Sequence, residues 1–337
     1  MKKVGINGFG RIGRAFFRLV FKTSEFEVVA LNDVRLTPKE AAYLLTHDSV
    51  YRLYGRTVVA KENGLEVDGT FVPLLAEKEP EKLPWGASGV DVVVESTGVF
   101  RAYDGPKGAS RHLQAGAKRV IIATEPKGEG GEKIPQIVFG VNHKSYDPRT
   151  HMIVSAATCT TNSLAPVAHV LEKEFGIAHA FLTTVHAYTA DQQLVDGAGS
   201  SLSRSRAAAI NIVPTSTGAA TATASVIPSL AGKIDGISFR VPVPSGSVSD
   251  FVCEMKKDVT VDEVNAALRR YAEGELKGIL GTSVDPMVSS DIIGDPRASV
   301  VDLGSTRVVD RRLLKVVTFY DNEWGYTNQL ARVVRLL

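Results

Sequence analysis

KVGINGFGRIGRAFF, residues 3–17, is the stretch that decides the fold. Val4 and Ile6 belong to a short apolar run over 3–7, Gly8, Gly10 and Gly13 follow in G-x-G-x-x-G spacing, and a helical pattern runs over 11–21. A strand that turns through glycines into a helix opens a doubly wound sheet, because only glycine lets the backbone turn so tightly and leaves a bound group room to approach. The helix start then offers unpaired N–H groups and a positive partial charge to a phosphate. A second strand is expected over 28–32, and Asp33 at its end can accept hydrogen bonds from a ribose. Strand, glycine turn, helix and acid together predict a dinucleotide site.

The alternation continues outward. Thr37, Pro38 and Glu40 carry the N-cap, first-turn proline and capping-box acid of another helix. β-branched runs at 91–95, 119–123 and 137–141 predict further strands, and the strand–helix rhythm predicts a parallel sheet with crossover helices. After about residue 155 the pattern changes. One long helix is expected over 159–175. Strands are expected over 181–188, 237–243, 247–255, 300–303 and 314–319, with no regular helices between them, which suits a mixed or antiparallel sheet. Thr260 with Glu263 opens a helix to about Ala272, and 326–336 is apolar at helical spacing and should pack back on a core. The expected architecture is α/β. A Rossmann-type dinucleotide-binding domain over 1–158 is completed by a C-terminal helix at about 323–337, and an α+β catalytic domain with a mixed or antiparallel sheet covers 159–322.

Composition excludes several classes. The 337-residue chain is 44% hydrophobic and 23% charged, the balance of a globular protein of about two domains. A net charge of +2 gives no bulk attraction to nucleic acid or to a membrane surface. The two cysteines, Cys159 and Cys253, fit no disulfide framework and no metal spacing. With no signal-peptide core at the start, the expected compartment is reducing and cytoplasmic.

Cys159 stands where a strand gives way to the long helix, flanked by Thr158, Thr160 and Thr161. Free N–H groups and the helix dipole stabilise a thiolate there, and the hydroxyls can solvate it. Cys253, within a strand pattern, reads as a small apolar residue. His186 ends a strand at 184–192, TVHAYTADQ, as one of seven histidines. Arg240 interrupts an apolar strand and needs an anionic partner, either a ligand or an internal carboxylate.

Taken in order, these residues resemble the phosphorylating glyceraldehyde-3-phosphate dehydrogenases. The resemblance rests on GINGFGRIGR at the start, HDSV at 47–50, ESTGVF at 95–100, AGAKRVII at 115–122, CTTN at 159–162, TVHAYTADQ, RAAAINIVPTSTGAA at 206–220, RVPVP at 240–244 and YDNEWGY at 320–326. It implies oxidation of glyceraldehyde 3-phosphate to 1,3-bisphosphoglycerate through a hemithioacetal and thioester on Cys159, with His186 as base. It implies a nicotinamide cofactor held by Asn7, Gly8, Gly10, Arg11, Ile12, Gly13, Asp33, Lys78, Thr97 and Asn322, NAD being favoured over NADP by Asp33. Thr189 and Arg240 would hold the substrate phosphate, and Thr158, Thr160, Arg204, Thr217 and Gly218 the attacking inorganic phosphate. The family's habit implies a homotetramer.

Some positions depart from the family pattern. Ser163 replaces a second cysteine common four residues after the nucleophile, Gly197-Ala198 replaces a Leu-Pro pair of many NAD-specific members, and Ala123 replaces a hydroxyl residue. The alternative readings are an erythrose-4-phosphate dehydrogenase and a catalytically silent nucleotide-binding relative.

Overall fold

A computed structural model describes all 337 residues, which divide into two compact units. The first comprises 1–137, 143–157 and 330–337; the second comprises 138–142 and 158–329.

In the first unit the elements are β1 (Lys2–Asn7), α1 (Arg11–Val20), β2 (Phe26–Asn32), α2 (Pro38–Thr46), β3 (Val58–Lys61), β4 (Gly64–Val67), β5 (Thr70–Leu75), β6 (Val92–Glu95), α3 (Ser110–Gln114), β7 (Arg119–Ile122) and β8 (Ile153–Ser155). They form one eight-stranded sheet in the order β3-β4-β5-β2-β1-β6-β7-β8. From β5 to β8 all neighbours run parallel, and β3, β4 and β5 add an antiparallel edge. The capping box at Thr37 and Glu40 is formed in both directions. Parallel strands are buried on both faces, so β6 and β7 carry continuous valine and isoleucine. Trp85 fills the core beside Val93, Val120 and Ile122, and it sits over Gly5, where a Cβ would come within 2.8 Å of its ring.

The strand expected over 137–141 does not form. Gln136 makes an isolated bridge to Ser155, and then the chain turns at Gly140, whose φ is +88°. Asn142 accepts the Val138 N–H with its side chain at 2.8 Å, and Val141 N–H returns to the Val138 carbonyl. An apolar run bent this tightly cannot continue a ladder, and Ile153–Ser155 supplies the eighth strand instead.

In the second unit the elements are α4 (Cys159–Glu174), β9 (Ile177–Ala187), β10 (Val213–Ser216), α5 (Ala219–Val226), β11 (Ile234–Val241), β12 (Ser247–Met255), α6 (Val261–Glu273), β13 (Leu280–Ser283), β14 (Ser299–Val309), β15 (Leu313–Tyr320) and the start of α7 (Trp324–Leu336). The mixed seven-stranded sheet runs β10-β11-β9-β12-β15-β14-β13. Along β9, Ala180, Leu182, Thr184 and His186 are buried, while Phe181 and Val185 face out. The period of two thus turns His186 inward. The far end of α7 lies in the first unit, where Lys2 Nζ donates to the carbonyls of Val334 and Arg335 at 3.2 and 3.1 Å and closes the helix C-terminus.

No helix is long and apolar enough to cross a membrane.

Candidate active site

Two sets of expected residues fall in the first and second units respectively. In the first, Gly8 takes φ +94° at the end of β1. A Cβ on Gly13 would drive into the Gly8 carbonyl, so that glycine lets α1 pack against the turn. A Cβ on Gly10 would meet nothing within 4 Å. Gly10 is the N-cap of α1 and supplies no capping side chain. The start of α1 therefore faces open space at Gly10 with no capping side chain, the arrangement a pyrophosphate requires. Asp33 accepts Phe9 N–H at 2.8 Å and Arg35 N–H at 2.8 Å, which fixes its carboxylate beside the turn. These residues fit a dinucleotide. Ile12 follows in α1, and Arg11 pairs with Asp48 of the HDSV stretch at 2.5 Å. Lys78 is exposed on the loop after β5. Thr97 follows β6, its N–H donating to Glu95 at 2.8 Å.

Asn7 and Asn322 differ from a simple contact role. Asn7 is buried, and its side chain bonds Glu95 and Asn32. Asn322 belongs to the second unit, where its amide oxygen accepts Gly246 N–H at 3.1 Å and the Ser247 hydroxyl at 3.0 Å.

In the second unit Cys159 is the first residue of α4, and Thr158 is the N-cap, accepting Thr161 N–H at 3.1 Å. Cys159 Sγ lies 3.4 Å from His186 Nε2. The other ring nitrogen lies 2.7 Å from the Ala187 carbonyl. A carbonyl only accepts, so the proton sits on Nδ1 and Nε2 faces the thiol as a base. The register of β11 on β9 places Arg240 opposite His186. Arg240 Nη1 donates to the Thr189 hydroxyl at 2.8 Å and to Ala187 O at 3.3 Å, while its buried Nε has no partner. Asp191 accepts from both Thr189 and Arg204, and Arg204 Nε also donates to Thr215 at 3.0 Å. Thr217 caps the start of α5, accepting Ala219 N–H at 3.2 Å, and Gly218 is the N-cap.

Burial dominates the electrostatics. It pushes the Cys159 thiol up, against the pull of Arg240 and the Thr160 hydrogen bonds. It pushes His186 down to about 3, with the Arg240 charge adding to it. Burial alone would raise Asp191, but the Thr189 hydroxyl, Arg204 and Arg240 hold it below the ordinary carboxylate value. Burial thus opposes charge on both Cys159 and His186, while the helix start and Arg240 favour a thiolate.

Other expectations need correction. Thr161 does not solvate the sulfur: it is buried and its hydroxyl pairs with Thr158 at 2.8 Å. Thr160 lies 4.0 Å from Sγ, but its hydroxyl is shared with Tyr320 at 2.9 Å. The residues expected for the two phosphate positions share one hydrogen-bond network, because Asp191 links the Thr189–Arg240 pair to Arg204. Sequence reasoning passed over Asp191 and Tyr320. Both lie in quoted motifs, and a carboxylate near two arginines was the available signal. Cys253 is fully buried, as its strand position suggested. No group of three or more His, Cys, Asp or Glu side chains is placed to hold a metal ion.

Comparison with known proteins agrees with the geometry. The chain matches the family descriptions "Glyceraldehyde 3-phosphate dehydrogenase, NAD binding domain" over residues 2–103 and "Glyceraldehyde 3-phosphate dehydrogenase, C-terminal domain" over 158–322. It is 50% identical over 329 residues to the glyceraldehyde-3-phosphate dehydrogenase of Geobacillus stearothermophilus, covering 98% of this chain and 96% of the relative. The Haloarcula vallismortis enzyme of that name is 48% identical over 338 residues, covering 99% and 98%, and one from Bacillus subtilis is 48% identical over 329 residues, covering 98% and 96%. With a glycine cradle in one unit, a cysteine–histidine pair in the other and both halves matched, the chain belongs to the glyceraldehyde-3-phosphate dehydrogenase family.

Proposed function

We propose that the chain carries out the phosphorylating oxidation of glyceraldehyde 3-phosphate to 1,3-bisphosphoglycerate, with Cys159 as nucleophile and His186 as base. The 3.4 Å approach of Cys159 Sγ to His186 Nε2 carries this reading. His186 Nε2 takes the thiol proton as Sγ attacks the aldehyde carbon, and returns it to the carbonyl oxygen to give a hemithioacetal. When bound, a nicotinamide cofactor supplies the acceptor for the hydride leaving that carbon. His186 Nε2 removes the hydroxyl proton as the hemithioacetal becomes a thioester. An oxygen of inorganic phosphate then attacks the thioester carbonyl, the C–S bond breaks, and the sulfur leaves as thiolate beside His186.

Arg240 and Thr189 take the substrate phosphate, since the buried Arg240 Nε has a donor to spare. Arg204, Thr217, Gly218, Thr158 and Thr160 serve the attacking phosphate, with Asp191 yielding Arg204 when an anion arrives. Residues 1–158 with 323–337 bind the dinucleotide through Gly8, Gly10, Arg11, Ile12, Gly13, Asp33, Lys78 and Thr97, with buried Asn7 bracing the turn from below. NAD is preferred, because the Asp33 carboxylate opposes a 2′-phosphate. The outward face of the second sheet exposes Phe181 by 67%, Ile237 by 41% and Val185 by 37%, an apolar face that a second copy would cover in a homotetramer. Two free cysteines support a cytoplasmic setting.

The test follows absorbance of the reduced nicotinamide with glyceraldehyde 3-phosphate and NAD or NADP, with and without inorganic phosphate. Steady turnover only with phosphate is expected, and a single burst without it. Equal turnover without phosphate would mean that water cleaves the thioester, as an erythrose-4-phosphate dehydrogenase would do. No reduction of either cofactor would point to a silent relative.

A further inference from the structure

Three adjacent parallel strands of the first unit end in buried polar residues at one level: β2 in Asn32, β1 in Asn7 and β6 in Glu95. The registers pair Asn7 with Asn32 on one side and with Glu95 on the other. His112, fully buried, closes the row against Glu95 at 3.0 Å, and Trp85 Nε1 donates to His112 Nδ1 at 2.9 Å. None of these side chains is needed for a Rossmann core, and burying so much polarity is costly unless every group is satisfied.

The row has a single direction. Glu77 N–H donates to Asn32 Oδ1 at 2.9 Å, so the Asn32 amide nitrogen must point to the Glu77 carbonyl and to Asn7 Oδ1, at 2.9 and 2.7 Å. That fixes the Asn7 amide nitrogen on Glu95 Oε2. From the other end, indole N–H is only a donor, so His112 Nδ1 is bare and Nε2–H donates to the same oxygen. Glu95 Oε1 accepts Thr97 N–H at 2.8 Å and the Thr97 hydroxyl, whose oxygen in turn accepts Val99 N–H at 3.0 Å. Four donors and no acceptor therefore converge on one carboxylate. Their chains start at the Glu77 amide, the Val99 amide and the Trp85 indole, whose donor roles are fixed.

The row is anchored to all three segments expected to touch the dinucleotide: the Gly8 turn through Asn7, Thr97 through Glu95, and the Lys78 loop through Asn32 and Glu77. Ser96 ties two of them directly, donating to the Gly8 carbonyl at 2.7 Å. We propose that Glu95, oriented by His112 and Trp85, is a positioning residue that sets the relative placement of these three cofactor loops. This rests on the dinucleotide-binding reading above.

The test uses the full-length protein and isothermal calorimetry with NAD and NADP. E95Q replaces one acceptor oxygen by an amide NH2 donor, which must oppose either the two Thr97 donors or those of Asn7 and His112. The expected result is a Kd for NAD about tenfold or more weaker. Cys159 alkylation without cofactor, a readout in the other unit, should keep its wild-type rate. H112F, which strands the Trp85 donor, should weaken NAD binding similarly, and H112Q, which retains a donor toward Glu95, should recover most of it. That rescue separates positioning from loss of packing, and it stands even if E95Q fails to fold. Nitrogen NMR should find the His112 proton on Nε2. A proton on Nδ1, or E95Q, H112F and H112Q all binding NAD like the wild type, would overturn the proposal. A wild type that binds neither NAD nor NADP would overturn the functional reading and this inference with it.

Discussion

The two candidate sites differ in how far their polar groups are already satisfied. Below the glycine turn of the first unit, Asn7, Asn32, Glu95 and His112 all have partners within the protein, and what faces the open space at Gly10 is backbone. In the second unit, half-buried Arg240 has an idle Nε, and Arg204 leans on a single shared carboxylate, Asp191. A saturated network is rigid and holds neighbouring atoms in place, whereas half-buried cations with spare donors gain most when an anion arrives. The first site is built to position and the second to wait for charge. Substitutions should separate these roles.

The largest expected effect is at the nucleophile. Cys159→Ser should lower turnover by at least about a thousandfold while leaving the Kd for NAD unchanged, since the proposed mechanism forms its covalent intermediate on the thiol and the cradle lies in the other unit. Turnover near the wild-type rate would break the covalent mechanism. His186→Asn comes next, with acylation slowed about a hundredfold or more, read from the burst in a single turnover. The pH dependence carries a sign. The folded imidazole is pushed down to about 3, whereas an unfolded histidine takes its proton near 6.5. The unfolded chain therefore binds the extra proton first, and stability falls as pH drops from about 6.5 toward 3, by at most about 1.4 kcal/mol per pH unit. Urea midpoints should show that fall in the wild type and a shallower one in His186→Asn. Parallel curves would mean that the imidazole is not held neutral.

Arg240→Leu sharpens the contrast further. Losing a charge-assisted contact to phosphate should raise KM for glyceraldehyde 3-phosphate by about ten- to a hundredfold. The ligand-free protein should lose little stability, because a half-buried cation with an unused donor is removed with its desolvation cost. A large drop in the thermal midpoint would show that Arg240 is structural first.

The sequence reading found what is written locally. The glycine spacing with Asp33, the capping boxes at Thr37 and Thr260, and the helix starting at Cys159 all stand in the structure. A hairpin over β4 and β5 was also legible and was missed: Asp68-Gly69 take φ of +45° and +77°, the turn that Asp-Gly favours. The run at 137–141 misled because its composition is strand-like and only the turn at Gly140 reveals otherwise. The Glu95–His112 pairing joins side chains 17 residues apart. Nothing in spacing announces it, because the crossover through α3 brings them together. The burial that bears on Cys159 and His186 was equally hidden, since desolvation depends on what surrounds a residue in space.

The smallest expected effect lies within one motif. Gly10 and Gly13 look equivalent in G-x-G-x-x-G, yet a Cβ on Gly10 meets nothing within 4 Å and its φ of −73° suits any residue. Gly10→Ala should therefore change stability by less than about 0.5 kcal/mol, a shift in thermal midpoint of no more than about 2 °C. Its methyl group occupies the space above the helix start, so NAD binding should weaken measurably. Gly13→Ala is the control, because its Cβ is driven into the Gly8 carbonyl and the turn must shift. It should lower the midpoint as well as the affinity. Equal thermal losses for the two variants would mean that both glycines serve packing, and the open space at Gly10 would then lose its meaning as a cradle.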